Sequence, residues 1–200
     1  TATSTLGATT AVNLSTGTGD IGAAGTEINL AAGQTGVVAT THGTGRIYLR
    51  DTGSLTLGAI TTAGGLVDIA TTGAGTLTAG GAIATSGGNV TLNSQDALAV
   101  NGGITAGAGT VGLLANQDGA GAQGFSQADA TTIAGTGITV TNGDGFGIGW
   151  YGDRAEPGVY REVTPAWSDD NLMALSQTLR SRLFFAHVRA ATAGGIARQN

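Results

Sequence analysis

An apolar, outward, apolar triplet recurs along the first part of the chain: Val12-Asn13-Leu14, Ile28-Asn29-Leu30, Ile47-Tyr48-Leu49, Val67-Asp68-Ile69, Val90-Thr91-Leu92, Val111-Gly112-Leu113 and Ile138-Thr139-Val140. The steps between first members are 16, 19, 20, 23, 21 and 27 residues. The middle position never holds an aliphatic side chain. Each triplet therefore predicts a strand with one buried face and its central residue turned to solvent. A period near twenty is too short for a βαβ unit, and no helical stripe lies between triplets.

Three consecutive repeats align further. Leu55, Leu77 and Leu98 precede Ile60, Ile83 and Ile104, which precede Val67, Val90 and Val111. Each repeat thus holds three short strands, separated by corners such as Gly64-Gly65, Gly87-Gly88 and Gly102-Gly103, where glycine can turn the chain at positive φ. One coil cannot bury its own apolar face, but coils stacked at about 4.8 Å share a continuous core. The expected architecture is mainly β, a parallel β-helix of about 5–7 coils over residues 10–141. A parallel stack exposes unpaired strand edges at both ends, so end-to-end self-association is expected.

The pattern changes at Gly143-Asp144, which divides the chain into a repeat region, 1–143, and a second region, 144–200. Gly145 to Tyr151 reads as a strand, and Val159-Tyr160-Arg161-Glu162-Val163 as a second after a turn. Ser168 is the expected N-cap, with Asp169 and Asp170 in the first turn of a helix that carries Leu172, Leu175, Leu179 and Leu183 on one side and ends near Arg180 and Arg182. A strand from Leu183 to Arg189 follows.

Composition sharpens the division. Of the 37 glycines, 30 precede Asp144, whereas seven of the nine aromatic residues, six of the eight arginines and the single Met follow Gly143. Residues 1–143 carry seven carboxylates against two arginines, and the remainder six against six, so the net charge of −5 belongs to the repeat region. An acidic, arginine-poor chain without lysine does not suit phosphate, so nucleic acid is not an expected partner. No apolar run is long enough for a membrane span. The absence of cysteine removes thiol nucleophiles and thiolate metal sites.

Several local signals reduce to structure. Gly107-x-Gly109-x-x-Gly112 matches a dinucleotide fingerprint, but in so glycine-rich a chain such a match arises by chance, and no helix pattern follows. Gly17-Thr18-Gly19-Asp20 offers one carboxylate, too few for calcium. His42 reads as a solvated corner residue. Asp68 is the one acid at an outward triplet position, which does not suffice for polysaccharide cleavage. No cofactor and no metal site are predicted.

The repeats, which commonly read as in Gly87-Gly88-Asn89-Val90-Thr91-Leu92, resemble those of the filamentous-haemagglutinin-like family of secreted bacterial exoproteins. That resemblance implies a right-handed β-helical stalk, secreted or at the cell surface, with a host or cell-surface ligand. Asp144-Gly145-Phe146-Gly147-Ile148-Gly149-Trp150-Tyr151 and Ala186-His187-Val188-Arg189-Ala190-Ala191-Thr192 resemble class II glutamine amidotransferases. This second resemblance implies a partial α+β segment of the N-terminal-nucleophile fold. In it Arg189 would grip the carboxylate of glutamine and Thr192 would shape the same pocket, with His187 a packing residue. On the residues alone, Arg189 could equally pair with Asp144 or Glu162.

The family's N-terminal catalytic cysteine has no counterpart here, β-helical sequence occupies the place of the preceding residues, and no Asn-Gly pair follows the Ala186-to-Thr192 motif, downstream of which the family places its oxyanion donors. No catalytic residue is therefore predicted. Two readings stand. One is a structural or adhesive stalk joined to an incomplete amidotransferase segment. The other is a glutamine amidotransferase, cytoplasmic in that case, whose catalytic N-terminus is missing or replaced in this chain.

Overall fold

In the computed structural model, residues 4–119, 123–142, 146–151, 156–162, 169–181 and 183–188 are described. The strands of the repeat region run, in chain order, β1 (Asn13–Thr16), β2 (Ile28–Leu30), β3 (Val37–Thr41), β4 (Ile47–Asp51), β5 (Leu55–Thr61), β6 (Val67–Thr71), β7 (Leu77–Ala79) and β8 (Ile83–Ala84). They continue with β9 (Val90–Asn93), β10 (Leu98–Val100), β11 (Ile104–Thr105), β12 (Val111–Ala115), β13 (Phe125–Gln127), β14 (Ile133–Ala134) and β15 (Ile138–Asn142).

All of their ladders are parallel. A six-stranded sheet runs β15-β12-β9-β6-β4-β2, and a nine-stranded sheet holds the others. Together they wind a parallel β-solenoid of about five turns. The three-strand repeat read from the sequence is its register: Leu55 pairs with Leu77 and Leu77 with Leu98, Ile60 with Ile83 and Ile83 with Ile104, Val67 with Val90 and Val90 with Val111. Leu55, Leu77, Leu98, Ile60 and Ile104 are fully buried. Each such side chain contributes about 1.5–3 kcal/mol relative to exposure. These aliphatic columns thus outweigh any surface ion pair, worth about 0–1 kcal/mol.

Threonine hydroxyls hold the corners. Buried Thr41 and Thr62 donate from Oγ1 to the carbonyls of Gly45 and Gly65 at 2.8 and 2.5 Å, and Thr85 does the same to Gly88. These bonds satisfy buried polar groups that would otherwise cost stability. Gly64 and Gly87 adopt φ of +120° and +128°, as the corner reading expects, whereas Gly102 and Gly103 turn without positive φ. Gly65 and Gly88 have a different requirement, since a Cβ on either would overlap the backbone of the coil beneath. At another corner the buried Asp51 carboxylate accepts from the N–H of Gly53 at 2.8 Å and of Gln34 at 3.4 Å.

The early triplets depart from the expected alignment. Val12-Asn13-Leu14 belongs to the other sheet, where β1 pairs with β3 and the Val12 carbonyl accepts from Val38 N–H at 2.9 Å. Ile28 pairs with Leu49, not Ile47. Ile21 has taken the place beside Ile47, and residues 22–27 leave the sheet in a turn closed by an antiparallel bridge between Ala23 and Thr26. Tyr48, expected outward, is buried. At the far end, Ile138 and Val140 keep the register of Val111 and Leu113 yet are 48% and 47% exposed, because no further coil covers them among the described residues.

Beyond residue 145 the described chain forms a three-stranded antiparallel sheet, β16 (Phe146–Trp150) between β17 (Gly158–Glu162) and β18 (Phe184–Val188), with helix α1 (Asp170–Thr178) between the last two in sequence. The N-cap is Asp169 and not Ser168, which lies outside the described residues; the Asp169 carboxylate accepts from Leu172 N–H at 2.9 Å. The helix stops at Thr178, ahead of Arg180, because Leu179 is extended. Leu172, Leu175 and Leu179 are half-buried, whereas Leu183 is exposed.

Candidate functional site

The outer face of the six-stranded sheet carries the one charged cluster that sequence reading touched. Asp68 pairs with Tyr48 in the register, which brings Arg50 alongside it. The Arg50 guanidinium lies 3.0 Å from the Asp68 carboxylate and 3.4 Å from that of Glu27. It also donates to the carbonyls of Leu49 and Asp68 at 2.9 and 3.2 Å. Glu27 is held below the usual glutamate range by its own backbone N–H and that of Gly25, with Arg50 adding attraction and desolvation opposing. Asp68, read from sequence as a solitary acid, is thus a member of a three-residue ion network. One arginine shared by two carboxylates staples the 22–27 turn to two strands.

The remaining signals in this region also resolve into structure. The Asp20 carboxylate accepts from Arg46 N–H at 2.7 Å, which occupies it in holding the first coil to the next. His42 is exposed. The Gly107-to-Gly112 stretch runs into strand β12, not a helix. Among the described residues, no three His, Cys, Asp or Glu side chains converge as a metal site would need.

The second candidate is the antiparallel sheet. Ile148 of β16 pairs with Tyr160 and Ala186, and Gly147 with Arg161 and His187. The tight position is Gly158 of β17, where a Cβ would overlap the Trp150 indole, whereas at Gly147 and Gly149 of β16 a Cβ would meet its neighbours at ordinary contact distance. Phe146 is buried, with its ring centroid 5.9 Å from that of Tyr160. The Tyr160 hydroxyl donates to the buried Asp169 carboxylate at 2.9 Å. Desolvation, then the hydrogen bond to Asp169, push the phenol above its usual range. One carboxylate therefore caps α1 and ties it to β17. Sequence reading placed Asp169 in the first turn and missed this clamp; nine residues of chain carry no signal that Tyr160 and Asp169 meet.

On the sheet's other side, Val159 and Phe185 flank Gly149 in one row and are 53% and 59% exposed. Arg189, predicted to grip glutamine, and Thr192, predicted to shape the same pocket, lie outside the described residues, as does Asp144. Strand β18 ends at Val188, directly before Arg189. Their role therefore stands as the resemblance implies it.

Comparison with known proteins gives one partial relative. A stretch of 64 residues, 30% of this chain, is 42% identical to the probable glutamine amidotransferase DUG3 of Saccharomyces cerevisiae. The chain covers 18% of that protein's length. No protein-family model matches, and no solved structure matches. No helix among the described residues is long and apolar enough to cross a membrane.

Proposed function

We propose that this chain is principally a structural, adhesive β-solenoid stalk, secreted or at the cell surface, joined to a glutamine-amidotransferase-like segment that does not turn over glutamine. The observation that carries the reading is the fate of Asp68. The solenoid's one outward triplet acid is committed to Arg50, which leaves a surface built for shape and hydrogen bonding and not for acid–base chemistry. A rod of stacked coils presents repeated backbone geometry to a partner over a long face, the use to which solenoids are suited. The partner would be a host or cell-surface ligand.

The alternative is a glutamine amidotransferase, cytoplasmic, that hydrolyses glutamine and delivers ammonia. Its support is the 42% identity over 64 residues together with the motifs around Trp150 and His187. Under both readings Arg189 and Thr192 would contact glutamine, the first through a paired guanidinium fork on the carboxylate. Hydrolysis through an acyl-enzyme needs a nucleophile, a base within hydrogen-bond reach and donors to the oxyanion. The sequence offers no cysteine for the first role.

Two measurements decide. Purified chain incubated with glutamine should release no ammonia above buffer, and turnover lost in Arg189→Ala would put the enzyme reading first. Surfaces coated with the chain should retain cells, and coating with the core-disrupted Val90→Asp should not. Retention equal to that on an unrelated β-protein would end the adhesive reading.

A further inference from the structure

Tyr48 faces outward by alternation, since Ile47 and Leu49 on either side of it are fully buried in the core, yet it is only 5% exposed. Its row neighbours on the next two coils, Asp68 and Thr91, are partly exposed at the same position. A cover on the outer face therefore sets Tyr48 apart. On the coil before it, Ile21 pairs with Ile47 and Ile28 with Leu49, so the six residues 22–27 stand where a single residue would lie beside Tyr48. The excursion starts at that point. Tyr48 N–H donates to the Ile21 carbonyl at 2.8 Å, and a Cβ on Gly22, whose φ is +72°, would come within 2.7 Å of the Tyr48 carbonyl oxygen.

We propose that the 22–27 turn is a strap across the outer side of Tyr48, latched by Glu27 on Arg50, which opens without unwinding the coil. Ala23 and Thr26 exchange backbone hydrogen bonds with each other at 3.2 and 2.9 Å, and Gly25 N–H donates to the Glu27 carboxylate at 3.1 Å, so the bonds of residues 23–26 close on the turn itself. Those four residues are exposed and their side chains are small, so they anchor nothing in the core. Glu27 reaches out of the turn, 3.4 Å from the Arg50 guanidinium, which Asp68 holds from the other side at 3.0 Å. An ion pair this exposed holds weakly and is screened by salt. Ile21 and Leu30, by contrast, are buried and keep both ends of the excursion in the stack. The strap has firm ends and one weak latch. Opening it places a tyrosine ring on the outer face beside Arg50 and Asp68, whichever reading of function holds.

Nitration of the full chain by tetranitromethane, followed at each tyrosine by peptide mass, tests the strap. With the latch intact, Tyr48 should react at least about tenfold more slowly than Tyr151, which is 43% exposed. Glu27→Ala leaves Arg50 on Asp68 and should raise the Tyr48 rate about twofold to fivefold, the range of an exposed ion pair; Arg50→Ala, or high salt on the wild type, should do the same. Asp68→Asn keeps Glu27 on Arg50 and should leave the rate unchanged. Amides of residues 23–27 should exchange faster in Glu27→Ala and Arg50→Ala, while those of Ile47 to Leu49 keep their protection. The proposal is overturned if wild-type Tyr48 reacts like Tyr151, if its rate is indifferent to Glu27 and Arg50, or if Asp68→Asn matches Glu27→Ala. Loss of protection at Ile47 to Leu49 together with the turn would overturn it too, because the whole coil would then be opening.

Discussion

Gly88 lies directly over Gly65, so close that a Cβ on Gly88 would overlap the carbonyl oxygen of Gly65. Gly109 stands in the same relation to Gly88. The atoms in the way are backbone and cannot rotate aside. Gly88→Ala should therefore destabilise the solenoid by about 1–3 kcal/mol or more, the range of overpacking in a rigid core. Gly17, which has open space around its Cβ position and no positive φ, is the control. Urea denaturation should separate the two variants; equal midpoints would show that the coils can spread to admit a methyl group.

The face assignment is tested at neighbouring residues. Val90 is 1% exposed, and Thr91 turns outward between Asp68 and Gly112. Val90→Asp places a carboxylate in the aliphatic column and should cost more than about 3 kcal/mol. Thr91→Lys sets an ammonium beside Asp68 and should stay within about 0.5 kcal/mol of wild type. Thr91→Asp should fall between them, because it sets two carboxylates side by side on adjacent strands. Thermal unfolding of the three variants in one buffer gives the order.

Arg50 bridges Glu27 and Asp68 at a partly exposed site, so Arg50→Ala should cost about 0.5–1 kcal/mol, less at high salt. Glu27 adds a pH dependence. Its carboxyl titrates lower in the folded chain than in the unfolded chain, so its contribution is fully present above the ordinary glutamate range and is lost as pH falls through the depressed folded value. Unfolding midpoints measured through the acid range should decline less steeply in Glu27→Gln. An unchanged slope would assign the acid sensitivity elsewhere.

In the antiparallel sheet, Tyr160→Phe removes the hydroxyl that Asp169 accepts while leaving the ring against Phe146. The expected result is faster amide exchange in α1 with the solenoid amides unaffected. Tyr160 holds its proton to higher pH when folded than when unfolded. Its contribution is therefore complete below the ordinary tyrosine range and disappears as pH rises through the raised folded value. Exchange in α1 of the wild type should accelerate in alkali toward that of the variant.

Much of the solenoid was legible because stacking in a parallel coil is periodic in sequence. A leucine at 77 announces its neighbours at 55 and 98, since each must fill the same column. The β16 to β18 strands and α1 were legible from alternation and capping chemistry, although the cap moved by one residue to Asp169. Periodicity failed at the first coils. There Ile21 displaced the expected pairing of Ile28, because any aliphatic residue of the right size can enter a column and the chain between them is free to leave as a turn.

The sequence by itself determined the three-column repeat, the absence of cysteine chemistry and the acidic character of the first 143 residues, properties that reside in the order of side chains. Only the tertiary structure decided that Asp68 pairs with Arg50, that Tyr160 reaches Asp169 and that Tyr48 is buried. Within the solenoid, each of these depends on which backbone lies one layer away. That distance of about 4.8 Å separates residues some twenty positions apart, and a shift of two residues in register changes which side chains meet without altering the pattern that built the coil.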